Sequence, residues 1–174
     1  MKVPASAGTF YFSAIMRWLK ADYIFPISSP PIKNGVVVVE ENGIIENVLD
    51  EGAQQALPAD VKIETFEGII CPGFVNAHCH LELSHLKGRI EKEKGLPHFI
   101  KEIVPKRNAS AEIVADAIAK AEDEMIANGI VAVGDICNTP DTIEQKKKGR
   151  LQYYNFIEIF DLEAYRADVA FEKG

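Results

Sequence analysis

The 174-residue sequence contains only three cysteines and no long apolar run. Cys71, Cys79 and Cys137 include no Cys-x-x-Cys spacing, so a disulfide framework is disfavoured and reduced thiols in a cytoplasm are expected. No apolar segment approaches the roughly 18–20 residues that cross a bilayer, which argues against a membrane protein. The N-terminus lacks a charged segment followed by a sustained apolar core, so we expect a poorly ordered extension over Met1–Ile15 and no signal peptide.

There is also no excess of positive charge. Nineteen Lys and Arg residues stand against 26 Asp and Glu residues, for a formal net charge of −7. The longest basic run, Lys146–Lys148, lies in a polar stretch typical of a solvated linker. Because no basic stripe is available to contact phosphates, nucleic-acid binding is disfavoured. The apolar fraction of 47% and the charged fraction of 26% are typical of an ordinary soluble globular protein.

The N-terminal part of the chain has the pattern of β-structure. An apolar stretch at Tyr23–Phe25 is followed by two β-branched runs, Val36–Val39 and Ile44–Leu49. Asn42 and Gly43 lie between these two runs, and both residue types tolerate positive φ. An Asn-Gly pair between β-branched runs predicts a hairpin.

The rest of the chain predicts strands that alternate with helices. Gly68–Val75, Ile130–Ile136 and Leu151–Phe160 have the apolar composition of strands. Ser110–Asn128 carries one apolar stripe at helical spacing, with Ser110 as its cap and Gly129 as its end. Nearly continuous apolar strands separated by helices are typical of a parallel sheet that is buried on both faces.

The clearest chemical signal is the triplet His78-Cys79-His80, which follows the first of these strands. Residues i and i+2 of a strand project to one face, so both imidazoles should point one way and Cys79 the other. Two imidazole nitrogens form a half-site for Zn²⁺ or a similar ion, and catalytic groups of parallel α/β proteins lie at such strand ends. The alternatives are two solvated loop histidines and, for Cys79, a small buried apolar side chain.

The residues around this triplet resemble a known family. The segment Ile69–Glu82 (IICPGFVNAHCHLE) is similar to the first barrel strand of the amidohydrolase superfamily, with its signature PGF-(V/I)-(N/D)-x-H-x-H. The upstream hairpin is similar to that family's N-terminal β-sandwich. The resemblance covers roughly residues 20–165 and is nearest to the chlorohydrolase and aminoheterocycle-deaminase branch. The run His80–Ser84 resembles aminodeoxyfutalosine deaminases of menaquinone synthesis.

The resemblance implies an α/β fold, namely the N-terminal part of a TIM-barrel amidohydrolase with part of a β-sandwich. Residues 1–67 would form an N-terminal extension and the partial sandwich, and residues 68–174 about the first three βα units of the barrel. A complete eight-stranded barrel takes ~250 residues, so only an N-terminal portion is expected here.

The resemblance also implies a metal-dependent hydrolase of non-peptide C–N bonds, which would deaminate an aromatic aminoheterocycle, a small-molecule substrate, with metal-activated water. His78 and His80 carry over as ligands of one divalent ion, with zinc expected and iron as the alternative. The family's other ligands are histidines on strands five and six and an aspartate on strand eight, and none of them can be placed in this sequence. Because a catalytic zinc needs three protein ligands, we expect the chain to be inactive alone, and its catalytic acid and base stay unidentified.

Several polar residues near the predicted strand ends are further candidates. Glu82 continues the i, i+2 series and would contact substrate, with a solvated loop carboxylate as the alternative. His85 follows in the loop where barrels bind substrate, with an exposed histidine as the alternative. Asp135 would either bond within the pocket mouth or cap the next turn, Glu158 would face the barrel interior, and His98 would lie on the surface.

Other functions stay open at this point. One is a cyclic-amide hydrolase of the same superfamily, similar to imidazolonepropionases. Others are a non-catalytic metal-binding or interaction module, or a truncated product without an independent role. Three parallel strands leave an open edge and an uncovered face, so association into a homo-oligomer is also open.

Overall fold

A computed structural model describes residues 16–58, 60–159 and 166–173, so the expected extension Met1–Ile15 lies outside the described residues. The chain divides into two compact units, Met1–Pro72 and Gly73–Gly174. Both are built on β-sheets. A short 3₁₀ helix at Ala53–Ala56 lies in the first unit and the α-helices lie in the second, which makes the fold mixed α/β. Among the described residues no helix is long and apolar enough to cross a membrane.

The first unit is a five-stranded sheet in which β1 pairs antiparallel with β2 and β3 and parallel with β5, while β4 pairs antiparallel with β3. The predicted hairpin at Asn42 and Gly43 is confirmed, because Gly43 has φ +88° and the Asn42 Oδ1 accepts the Ile44 amide at 2.8 Å. The strands are β1 Met16–Ile24, β2 Ile32–Lys33, β3 Val36–Glu40, β4 Ile45–Leu49 and β5 Ile63–Ile70.

The second unit contains a parallel sheet in the order β6-β7-β8, which confirms the predicted parallel pairing. The predicted burial on both faces is wrong in the described residues, because Val75, Tyr154 and Phe156 are exposed. Short 3₁₀ helices at Leu81–Leu86 and Pro140–Thr142 follow β6 and β7. The regular elements are β6 Phe74–Cys79, α1 Leu96–Lys106, α2 Ala111–Ala127, β7 Ile130–Cys137, α3 Ile143–Lys146, β8 Gln152–Ile157 and α4 Ala167–Lys173.

The single strand expected over Gly68–Val75 is wrong, because this stretch contributes to two strands in two units. Ile69 and Ile70 pair with β1 at the end of β5, whereas β6 begins only at Phe74. Pro72 separates them, and a proline cannot donate a hydrogen bond to a sheet. Gly73 then allows a close approach of chains, since a Cβ there would lie 2.2 Å from the Val131 Cγ1.

Helix α2 joins β6 to β7 and confirms the predicted amphipathic helix. The Ser110 Oγ accepts the Ile113 amide at 3.4 Å, and Gly129 ends the helix at φ +76°. The apolar stripe of α2 is buried in one core with Leu81, Val133 and Leu151; its buried apolar residues are Val114, Ile118 and Met125.

A buried carboxylate on α2 connects three elements of this unit. Glu122 is fully buried, and its Oε2 accepts from Gln145 Nε2 at 2.5 Å and from Arg150 at 3.2 Å. Its Oε1 accepts from the Tyr153 hydroxyl at 2.9 Å. Burial raises the pKa of Tyr153, and its hydrogen bond to Glu122 raises that pKa further. The hydroxyl therefore stays protonated and donates to the carboxylate. Glu122 therefore fixes α3 and β8 against α2.

We expect Glu122→Ala to destabilise the chain by about 3 kcal/mol, because three donors lose their acceptor and at least one of them is buried. Chemical denaturation followed by circular dichroism would measure the loss. Asp116→Ala on the same helix is the matched control; it removes only an exposed pair with Lys120 and should cost less than about 0.5 kcal/mol. Equal effects of the two substitutions would contradict the assigned role of Glu122.

Candidate metal centre

The structure brings the two histidines of the triplet together at the end of β6. The ring centroids of His78 and His80 lie 5.2 Å apart, with an angle of 69° between the ring planes. His78 is exposed and His80 is half-buried. The Nδ1 of His80 is buried and has no hydrogen-bond partner in the described part of the chain. Such an atom needs an explanation, and a bound ion is one that suits a ring nitrogen.

A β-bulge in β6 includes His78, and the sequence does not predict it. Asn76 pairs with Val133 and Cys79 with Asp135, so Ala77 and His78 together oppose the single residue Gly134. A Cβ at residue 134 would lie 2.7 Å from the Ala77 carbonyl oxygen, so the bulge requires glycine there. A glycine inside an otherwise apolar strand is the sequence signal that could have revealed it.

The donor set fits part of a metal site. Among residues 16–58, 60–159 and 166–173, no group of three or more His, Cys, Asp or Glu side chains is arranged to hold an ion. His78 and His80 alone present two imidazoles, whereas a catalytic zinc has three protein ligands and an open position. The pair therefore suits a half-site, which would need at least one further ligand.

Cys79 lies away from the pair, as the alternation of strand residues predicts. Its side chain packs against the core that contains Leu81 and Val133, which confirms the interpretation as a small apolar residue. Burial, with a smaller contribution from Asp135, raises the pKa of Cys79 to about 11. Burial likewise raises the pKa of the Cys137 thiol. With no metal ion bound, both thiols therefore stay protonated near neutral pH.

Glu82 is only 3% exposed, so the alternative of a solvated loop carboxylate is wrong. Its Oε2 accepts hydrogen bonds from the amides of Asn138 and Thr139, at 2.9 and 2.7 Å, and from the Thr139 hydroxyl at 3.0 Å. The Oε1 lies 3.4 Å from the Arg107 guanidinium. Glu82 thus ties the loop after β7 to the turn after β6, and its contact with substrate stays a prediction.

His85 is buried as well, so the alternative of an exposed histidine is wrong. Its Nδ1 lies 3.1 Å from the Glu82 carbonyl oxygen and its Nε2 lies 3.0 Å from the Arg107 carbonyl oxygen. A neutral imidazole has one N–H and can donate to only one of these carbonyls. Glu82, His85 and Arg107 also line a cavity of about 240 Å³ together with Thr139 and Asp141.

The remaining candidates are placed separately. Asp135 is fully buried, and its Oδ1 accepts the Leu81 amide at 2.8 Å, beside His80, rather than an amide of the turn after its own strand. Among the described residues the predicted capping role is therefore wrong, and the role at the pocket mouth stays a prediction. Glu158 is exposed after β8, where Asn138 Nδ2 donates to its carboxylate at 3.1 Å. His98 lies half-buried on α1.

Comparisons with known proteins give partial matches. No protein-family model matches the chain. A 5-methylthioadenosine/S-adenosylhomocysteine deaminase of Haloarcula marismortui is 32% identical over 105 residues, which are 58% of this chain and 23% of that protein. The chain therefore spans about a quarter of the length of this curated relative.

Solved structures extend the match over most of the chain. Helicobacter pylori aminofutalosine deaminase, in complex with methylthio-coformycin, is 21% identical with a TM-score of 0.64, covering 90% of this chain and 40% of that one. An adenosine deaminase from Xanthomonas campestris with bound zinc is 22% identical with a TM-score of 0.57, covering 90% and 37%. At these identities the likeness establishes that the chain shares the fold of a part of each enzyme.

The three cysteines should differ in reactivity toward iodoacetamide. At pH 8 a pKa of about 11 leaves Cys79 with roughly a hundredfold less thiolate than an ordinary thiol, and Cys137 is buried. We therefore expect exposed Cys71 to be alkylated first, as measured by peptide mass spectrometry over time. In denaturant all three should react at similar rates. Native Cys79 reacting as fast as Cys71 would show that its burial is wrong.

Proposed function

We propose that this chain, whose curated and structural neighbours are deaminases and hydrolases of the amidohydrolase superfamily, is the N-terminal portion of a metal-dependent aminoheterocycle deaminase. The observation that carries the proposal is the His78/His80 pair at the carboxyl end of a parallel strand, where the buried His80 Nδ1 has no hydrogen-bond partner within the described residues. In this account the three strands β6–β8 open a TIM barrel, and the first sheet is part of a β-sandwich.

His78 and His80 would hold the divalent ion, with zinc favoured over iron by the two imidazole donors. When bound, such an ion lowers the pKa of a water molecule to about 7, which makes hydroxide available near neutral pH. The geometry of the pair supports this role because the two ring centroids lie only 5.2 Å apart. The described residues contribute two ligands, so the chain alone is proposed to be inactive.

The substrate is proposed to be a small nucleoside-like molecule with an exocyclic amine on an aromatic ring. Hydrolytic deamination replaces that amine with oxygen and releases ammonia. The names of the relatives support an adenosine-type substrate, and the finer possibility is an aminodeoxyfutalosine-like one. Glu82 and His85 are proposed to take part in binding it, because both line the polar cavity that follows β6. Reduced thiols and a small-molecule substrate both suit a cytoplasmic enzyme.

The activity is tested with the complete open reading frame that contains this chain. We expect ammonia release from 5-methylthioadenosine, adenosine or aminodeoxyfutalosine, and a loss of at least about 100-fold in kcat/KM for His78→Ala and His80→Ala. His98→Asn, at a histidine outside the pair, should retain activity near that of the unaltered protein. Full activity in both pair variants would refute the proposal, and an absence of ammonia release with all three substrates would favour a non-catalytic module.

The 174-residue chain by itself should lose zinc on dialysis and release no ammonia, because it supplies only two ligands among its described residues. Metal analysis after dialysis and an ammonia assay on the same sample measure both properties. One zinc retained per chain, together with turnover, would contradict the proposed inactivity. Retained zinc without turnover would instead point to a site completed by a second copy of the chain.

A further inference from the structure

The peptide group that joins His80 to Leu81 is held from outside its own strand. The pairing of β6 with β7 ends at Cys79, so this peptide group receives no hydrogen bond from the sheet. Its carbonyl, on His80, accepts the Leu83 amide at 3.0 Å. Its N–H, on Leu81, donates to the Asp135 Oδ1 at 2.8 Å. A carboxylate from the neighbouring strand thus takes the place of the missing ladder bond.

Asp135 is itself fixed by a buried cation. Its Oδ2 lies 2.5 Å from the Lys146 Nζ, and the two side chains are 0% and 12% exposed. Lys146 also donates to the Asn155 Oδ1 at 2.5 Å and lies 3.3 Å from the Cys137 sulfur. A carboxylate without a cation would be strongly disfavoured in this position. The ion pair therefore allows one carboxylate oxygen to be directed at the backbone next to His80.

We propose that Asp135 is a positioning residue for His80 and that Lys146 holds Asp135 in place. The inference rests on the proposed role of the histidine pair in binding metal. His80 has φ −122° and ψ 76°, outside the extended conformation of β6, and the bond from Leu81 to Asp135 holds the peptide group after His80 against β7. The His80 Cα is thus anchored on both sides, by β6 before it and by Asp135 after it, and its ring lies 5.2 Å from the His78 ring.

Two donors bind an ion tightly only when they are held at the separation that the ion requires, and residues that support ligands typically contribute 10–100-fold to metal affinity. Without the Asp135 bond, the backbone after His80 is no longer held against β7, and the His80 Cα and its ring can shift relative to His78. The Ser84 hydroxyl, which donates to the Leu81 carbonyl at 2.6 Å, holds the next peptide group and not this one.

The test is a Zn²⁺ titration of the 174-residue chain, with histidine ring nitrogens labelled and followed by NMR. We expect Asp135→Ala to weaken zinc binding at the pair by about 10-fold or more, and Asp135→Asn, which keeps an acceptor oxygen, to recover most of that affinity. Glu122→Gln is the matched control, since it alters another fully buried acid of the same unit and should change the affinity less than about twofold.

A second variant covers the case in which Asp135→Ala does not fold. Replacing the amide between His80 and Leu81 with an ester removes only the N–H donor and leaves the Asp135–Lys146 ion pair intact. We expect the same loss of zinc affinity, about 10-fold, as for Asp135→Ala. Unchanged affinity in the ester variant would overturn the positioning role while leaving the metal role intact. If zinc moves no ring resonance of His78 or His80 in the unaltered chain, the proposed metal role fails, and this inference fails with it.

Discussion

A carboxylate that is removed from water must have its oxygens bonded by donors, and this constraint determines how the second unit is assembled. Glu82, Glu122 and Asp135 are all buried there, and each bonds groups distant in sequence. Glu122 connects α2 to α3 and β8, whereas Glu82 connects the turn after β6 to the loop after β7. Asp135 connects β7 to the backbone that follows His80.

Two of these three acids, Asp135 and Glu82, form their hydrogen bonds at the turn that follows the histidine pair. The turn after β6 begins at His80 and immediately supplies the Leu81 amide to Asp135 and the Glu82 carboxylate to Thr139. The backbone after His80 is therefore hydrogen-bonded to β7, and the side chain of Glu82 is bonded to the loop that follows β7. On the other side of the pair, the bulge opposite Gly134 lies in the backbone at Ala77 and His78. The position of the pair thus depends on the packing of neighbouring strands.

Features that depend on local sequence could be predicted. The hairpin follows from the positive φ that Asn42 and Gly43 tolerate, and α2 follows from its cap at Ser110 and its apolar stripe. The closeness of His78 and His80 follows from the alternation of strand residues, whereas the bulge that includes His78 was not predicted. Features that depend on partners distant in sequence could not be predicted. Nothing local shows that Ile69 and Ile70 pair with β1, or that Glu82 meets Thr139.

His78 and His80 are proposed to bind the metal ion of a deaminase together. Anomalous diffraction at the zinc absorption edge, from crystals of the protein grown with Zn²⁺, tests it most directly. We expect a peak about 2.0–2.1 Å from one ring nitrogen of each histidine. A peak on only one of the two rings, or none at the pair while zinc binds elsewhere in the crystal, would contradict it.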